Sequence, residues 1–472
     1  MHVPIELAVL VAVFVVGAIA AAFADRIGAP ALLLFLGLGI FLGVDGPGGI
    51  AFDDATLVRD VGTAALALIL FEGGALAEGR TLKLVRVPAA LLATVGVLVT
   101  AVVVAGTAYL VLDLTPSDAL LVGAVVSSTD AAAVFAATRG IHLRERISAL
   151  LELESGLNDP VAALLVIFLV EMRVGDAGVG DAIVLFGKQA LIGAAAGLLA
   201  GAAAVVLLRR LPLPSAGLAP VLTTGIALAG YTGSAALGGS GLLSAYLAGL
   251  VVGSAHVPHG PVIRGFLQGT AWVAQIGLFV LLGLLVTPSR LFDGGIRPII
   301  VALVLVVVAR PLATALCLAP LRIPGREIGF VAAAGLRGGV PIVFATFPIA
   351  AGLVGSVRLF DVVFFVVVAS VALQGLMLRP LARWLDVTTP PPPYRQTSLD
   401  ADSLRAAGAE LIEVDAVTLG IDGPTPVRDL ALPSGAVIAA IRREGQVVLP
   451  RGSTPVEPDD VLYLLRERSP VG

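Results

Sequence analysis

Apolar runs of roughly 20 residues, long enough to cross about 30 Å of hydrocarbon, recur from Pro4 to about Leu385. Inside lipid every backbone donor and acceptor must be satisfied by the chain itself, so such runs fold as helices packed on one another. About thirteen can be counted. Composition agrees, since 58% of the 472 residues are hydrophobic and only 14% are charged, outside the usual range of soluble domains. The expected architecture is an all-α polytopic membrane protein over residues 1–386, a Pro-rich linker over 387–396, and a small α+β domain over 397–472.

Charge in the connections orients the bundle. One alternate set of loops carries Arg26, Arg80, Lys83, Arg86, Arg139, Arg144, Arg146, Arg209, Arg210, Arg264, Arg322 and Arg326. The other holds Asp45, Asp53, Asp54, Asp113, Asp118, Asp176, Asp181 and Asp293, with isolated arginines such as Arg59, Arg173 and Arg290. The basic side is expected to face the cytoplasm. With an odd number of spans the amino terminus is then outside, the carboxyl terminus is inside, and the protein is multi-pass in the cytoplasmic membrane. Met1 to Glu6 lack the positive flank of a secretory signal, so the first helix is expected to be retained. The single cysteine, Cys317, lies in an apolar run and reads as a packing residue.

Chemistry concentrates where lipid tolerates it least. Glu154-Ser155-Gly156-Leu157-Asn158-Asp159-Pro160 sets two acids into an apolar stretch. A carboxylate there costs several kcal/mol unless it holds a counter-ion, a cation or a proton, so Asp159 is expected always to carry one of these. Helical spacing puts Ser155 and Asp159 on one face and Glu154 and Asn158 on the next. The first face can bind a cation and the second can orient the backbone around it. Thr129-Asp130, Glu72, Arg310-Pro311 and Gly335-Leu336-Arg337-Gly338-Gly339-Val340-Pro341 reach similar depth on other helices. Glycine and proline argue that the last of these helices breaks, and the hydroxyls of Ser127, Ser128 and Thr129 mark a second break. Positions 130 and 337 are 207 residues apart, which suggests two inverted six-helix repeats with two broken helices crossing at the centre. Their paired positive amino ends would be offset by Asp130 and their paired negative carboxyl ends by Arg337. Arg310 reads as structural, satisfying carbonyls that Pro311 frees. Glu152 reads as lining a cytoplasmic funnel that attracts cations.

Together, Phe71-Glu72-Gly73-Gly74, Thr129 through Phe135, Glu154 through Pro160 and Gly335 through Pro341 resemble the monovalent cation:proton antiporters of the NhaP and sodium/proton exchanger type. The resemblance implies a homodimer of thirteen-helix protomers in which Asp159 takes either cation or proton. It implies that Thr129, chiefly by its carbonyl, with Ser155, Asp130 and Glu72, completes or supports the ion cage. Asn158 would hold the broken fifth helix and Glu154 would pair with Arg337. Asparagine at 158, where electrogenic relatives carry aspartate, implies electroneutral one-for-one exchange. A physical argument reaches the same exchange: one carboxylate open to one side at a time releases one ion as it loads the other.

Residues 397–472 alternate short apolar strands, Leu411 to Val417, Ala436 to Ile441, Gln446 to Leu449 and Asp460 to Leu465, with a short helix expected over Val427 to Leu432. With Pro426-Val427-Arg428-Asp429-Leu430 and Glu457 through Leu462, this segment resembles the TrkA-C half of RCK potassium-regulatory domains. Antiporters with such a tail resemble the potassium/proton branch, which favours K+ over Na+. The tail is expected to dimerise and to bind a regulator such as cyclic di-AMP, to sense pH, or simply to stabilise the dimer. No other cofactor, no enzymatic activity and no nucleic acid partner is expected. A potassium channel would need a carbonyl filter such as T-V-G-Y-G, which is absent from the sequence. A serine hydrolase built on Ser155 would need a base, and all four histidines fall at helix ends or in loops.

Overall fold

The computed structural model describes residues 5–27, 31–77, 79–138, 141–174, 179–255, 257–291, 295–390, 409–432, 435–443 and 446–467. Two compact units divide the chain, Met1–Pro391 and Pro392–Gly472. The first is helical. Its passes are α1 (Ile5–Ile27), α2 (Ala31–Leu42), α3 (Ala55–Leu76), and α4 (Gly79–Leu91, running through a π-turn at Leu92–Gly96 into Val97–Leu112). The broken α5 consists of α5a (Pro116–Val125) and α5b (Ala131–Ala137), and is followed by α6 (Glu145–Val174) and α7 (Val179–Arg210). Then come α8 (Leu218–Ala236), α9 (Gly241–Ser254), α10 (Gly260–Leu285) and α11 (Arg297–Val304, through a π-turn at Leu305–Ala309 into Arg310–Leu318). The broken α12 consists of α12a (Gly325–Ala333) and α12b (Val340–Phe344 with Thr346–Ala350), and α13 (Ser356–Trp384) closes the unit.

Local chemistry sets these ends. Asp54 accepts from the Leu57 amide at 2.9 Å to cap α3, Thr115 caps α5a just before Pro116, and Ser240 caps α9. Among the described residues, α4, α6, α7, α10, α11 and α13 contain stretches long and apolar enough to cross a bilayer. The π-turn of α11 lies just before Pro311, whose missing N–H leaves a carbonyl one turn earlier without its donor. The π-turns fall on α4 and α11 and the breaks on α5 and α12, each pair seven helices apart, as a doubled six-helix unit with one helix between requires.

Connections at each end of the bundle are joined by arginine–acid pairs. At one end Arg144 donates to the Asp386 carbonyl at 2.8 Å and approaches Glu327 at 3.7 Å, and Arg326 approaches Asp386 at 3.7 Å. At the other end Arg297 pairs with Asp113 at 2.6 Å and Arg173 with Asp118 at 2.9 Å. Helices touch closely through glycine. A Cβ at Gly249 of α9 would lie 2.2 Å from the Phe71 carbonyl oxygen of α3, and one at Gly74 would lie 2.4 Å from that of Tyr246. Small residues let backbones meet where the lipid tails supply no hydrophobic drive for association.

The expected linker begins too early. Val387 is fully buried, its carbonyl accepts from the Arg144 amide at 3.1 Å, and the Thr389 amide donates to the His142 carbonyl at 2.7 Å. Residues 387–389 therefore belong to the helical unit, because their backbone is hydrogen-bonded onto the loop that precedes α6. Residues 391–396, and 397–408 of the expected carboxyl-terminal domain, lie outside the described residues, as do Arg139, Asp176 and Asp293.

The second unit is a four-stranded antiparallel sheet in the order β1-β6-β3-β4, with a separate β2-β5 pair. The strands are β1 (Ala409–Asp415), β2 (Thr425–Pro426), β3 (Ala436–Arg443), β4 (Gln446–Val448), β5 (Pro455–Val456) and β6 (Val461–Glu467). Alternation turns Ile441, Leu462 and Leu464 inward onto Ala416, Ile421 and Val456. The short helix expected over Val427 to Leu432 is a single 3-10 turn at Val427–Asp429. Residues Ala416–Leu419 form another such turn where a strand end was expected.

Candidate functional site

The breaks in α5 and α12 leave helix ends inside the bundle, and each is answered by a side chain from another element. Arg337, fully buried at the break of α12, donates from Nη1 to the carbonyls of Ser127 and Ser128 at 2.7 and 2.6 Å. It therefore closes the negative carboxyl end of α5a. The carbonyl end of α12a is taken by Gln374 of α13, whose Nε2 donates to Ala333 at 3.1 Å, and by Arg310, whose Nη2 lies 3.4 Å from the Val331 oxygen. Ser370 fixes Gln374 by donating to its Oε1 at 2.8 Å.

Asp130 serves the amino ends. Its Oδ1 accepts from the Ala133 amide of α5b at 3.2 Å, and its own amide donates to the Leu336 carbonyl at 2.8 Å. Its carboxylate also lies so close over Gly338 that a Cβ there would sit 1.9 Å from Oδ2. One carboxylate thus stands at the positive end of α5b and against the chain leading into α12b. Glycine at 338 is what admits it.

Helix α6 threads between the broken helices and holds α5 open. Asn158, 1% exposed, donates to the Thr129 hydroxyl at 2.6 Å and accepts from the Thr129 amide at 3.4 Å. Ser155 donates to the Thr129 carbonyl at 2.9 Å and accepts from the Ala131 amide at 3.2 Å. Glu154 makes a two-pronged pair with Arg310 of α11, 2.5 Å from Nη1 and 2.9 Å from Nη2, both side chains being buried. The pairing of Glu154 with Arg337 expected from sequence is thus corrected. The α11 guanidinium meets the carboxylate, and the α12 guanidinium is engaged by carbonyls.

Asp159 is the acid left over. It is 6% exposed, and its Oδ1 has no hydrogen-bond partner within the chain. It lines a cavity of about 240 Å³ shared with Glu72 of α3, Asp130, and Ser155 of α6. Thr129 and Asn158 do not line this cavity and stand behind it, while Glu154, Arg310 and Arg337 form the buried frame. Glu152, Tyr246 of α9 and Gln275 of α10 also face the cavity. Sequence reasoning gave Glu152 a funnel role but passed over Tyr246 and Gln275. A lone amide inside Trp272-Val273-Ala274-Gln275-Ile276 was the signal available for Gln275.

Such a chamber, walled mostly by apolar side chains, can hold one small cation or one proton on a buried carboxylate, with further carboxyl groups and the Ser155 hydroxyl facing the same space. Residues 10–384 match the family described as "Sodium/hydrogen exchanger, transmembrane", and residues 421–471 match the TrkA-C domain. The chain is 38% identical over 469 residues to the K(+)/H(+) antiporter NhaP of Alkalimonas amylolytica, covering 98% of this chain and 81% of that protein. It is also 38% identical over 463 residues to the K(+)/H(+) antiporter NhaP2 of Shewanella sp. (strain ANA-3), covering 96% and 80%. The Na(+)/H(+) antiporter ApNhaP of Aphanothece halophytica is 28% identical over 349 residues, covering 70% and 66%. In fold, the chain resembles the sodium proton antiporter MjNhaP1 of Methanocaldococcus jannaschii, with a TM-score of 0.69 at 20% identity over 81% of this chain and 97% of that one. The chain belongs to the sodium/hydrogen exchanger family of cation/proton antiporters and carries a TrkA-C domain at its carboxyl end.

Proposed function

We propose that this protein exchanges K+ for H+, one for one, across the cytoplasmic membrane, with Asp159 as the shared binding group. The observation that carries this reading is the almost fully buried Asp159 carboxylate, one of whose oxygens has no hydrogen-bond partner, on a largely apolar cavity that also receives Glu72, Asp130, Glu152 and Ser155. A charge in that position is tolerated only when a proton or cation sits on it. The two ligands compete for the same oxygens, so loading one expels the other.

The remaining residues divide the work. Ser155, Asp130, Glu72 and the Thr129 carbonyl supply or support oxygen ligands, and Asn158 keeps the α5 break in place. Asn158 is neutral, so the site gains and loses one charge per cycle, which supports electroneutral exchange. The cavity is lined by the last turns of α3 and the first half of α6, including Glu72, Leu76 and Glu152. Both segments lead to the basic loops, which supports access from the cytoplasmic side, with the amino terminus outside. Movement of the α5, α6 and α12 framework against the other helices would then expose Asp159 alternately.

K+ is favoured because two relatives spanning nearly the whole chain are K(+)/H(+) antiporters. Na+ is the alternative, after the more distant Na(+)/H(+) relative. The protein acts as a homodimer, and its TrkA-C unit regulates exchange. Proton flux in proteoliposomes with K+, Na+, Li+ and Rb+ added in turn tests the reading. Asp159→Asn abolishes flux with every cation while the protein elutes as the wild type does. Full flux in that variant refutes the assignment.

A further inference from the structure

Tyr246 lies outside every role assigned above, yet it is 2% exposed and lines the Asp159 cavity. Its helix, α9, is held against α3 by backbone contacts at Gly74 and Gly249, so the ring projects from a fixed wall toward α6. On α6 it meets Gly156. A Cβ at Gly156 would lie 2.3 Å from Cε2 of the ring and 2.7 Å from its hydroxyl oxygen. The phenol oxygen therefore rests directly on the α6 backbone. Glu152 lies one turn before Gly156 and Asp159 one turn after, on the same face of the helix. Glu152, Tyr246 and Asp159 all line the same cavity. An ion moving along this face from the basic-loop end to Asp159 meets that hydroxyl on the way.

We propose that Tyr246 is a specificity-determining residue of the ion path, its hydroxyl oxygen coordinating the dehydrating cation between Glu152 and Asp159, with glycine at 156 as the seat that admits the ring. A phenol is neutral and can accept as well as donate, so it offers a cation an oxygen without adding a fixed charge that would trap it. Conduction through a dehydrating site requires this balance of entry against release. A tyrosine serving only as filler would have no need to bring its oxygen onto the one helix that bears the ion-binding acid. The inference rests on the antiport reading, and its test separates the two.

The test uses the full-length protein in proteoliposomes, with K+ and Na+ each titrated. Tyr246→Phe keeps the ring and removes the oxygen. Its apparent KM is expected to rise about three- to tenfold for the transported cation, the size of one neutral oxygen contact, with maximal rate little changed. An unchanged KM for both cations overturns the proposal, and so does a fall in rate with KM held. Gly156→Ala, which must push the phenol away, is expected to raise KM in the same direction. It keeps the question open to refutation if the phenylalanine variant fails to fold. Asp159→Asn is the control: abolished flux there with wild-type KM in Tyr246→Phe sinks only the tyrosine assignment, whereas full flux in Asp159→Asn sinks the antiport reading beneath it.

Discussion

Arg310→Met is the sharpest test of how the buried frame is wired. The wild-type guanidinium meets Glu154 through two contacts of 2.5 and 2.9 Å, with side-chain exposures of 3% and 1%. Removing it leaves a carboxylate without its counter-charge in a dry interior, which costs about 3–5 kcal/mol. Removing both charges together, as Glu154→Gln with Arg310→Met, leaves no stranded ion and is expected to recover most of that loss. Arg337 instead bonds two carbonyl oxygens. Combining Glu154→Gln with Arg337→Met should therefore show little rescue. The assay is a double-mutant cycle on apparent melting temperature, read by size exclusion of heated, detergent-purified protein. The expected coupling between 154 and 310 is about 2 kcal/mol or more, against less than about 1 kcal/mol between 154 and 337. A larger coupling to 337, or an Arg310→Met variant as stable as wild type, would refute the reasoning.

Asn158→Ala removes both contacts to Thr129 and should cost about 1–3 kcal/mol, lowering the melting temperature together with flux although Asp159 is intact. Unaltered melting would show that α5 does not depend on the amide. In the carboxyl-terminal unit, Asp460 accepts from Arg443 at 2.8 and 2.7 Å and from the Glu457 amide at 2.8 Å. The Arg443 hydrogen bonds, more than any other cause, hold its carboxyl below the usual 3.8. A folded-state value below the unfolded one means the contribution is complete above pH 3.8 and is lost as pH falls through the lower folded value. Asp460→Asn should hence loosen this unit at neutral pH and make little difference in strong acid. Hydrogen exchange of residues 455–467 in the full-length protein, followed against pH, measures both.

The family, the helical architecture and the TrkA-C tail were legible in the sequence because each leaves a linear signature: apolar runs, four spaced polar motifs, and strands punctuated by turns. The breaks in α5 and α12 were legible for the same reason, since Ser127-Ser128-Thr129 and Gly338-Gly339 with Pro341 announce freed backbone groups. Partner choice was not. Arg310 and Arg337 stand on neighbouring helices at similar depth, and only the rotation of each helix decides which one faces Glu154. A π-turn just before Pro311 resets that rotation on α11, a detail no spacing rule carries. Tyr246 was missed because its partner is an absence, the missing side chain of Gly156, and Val387 because an extended segment beside a proline run looks like a spacer until its hydrogen bonds are seen.

The glycine seam between α3 and α9 has a consequence for genetics. At Gly74 and Gly249 even a methyl group would collide with a carbonyl of the other helix, so substitution there separates the two rods along their length. A mutational screen scored only by lost transport would rank these positions beside Asp159, though neither lines the Asp159 cavity. Scoring abundance in the membrane alongside flux would tell the two kinds of defect apart, because the seam variants would vanish from the bilayer while the carboxylate variant would remain there, inert.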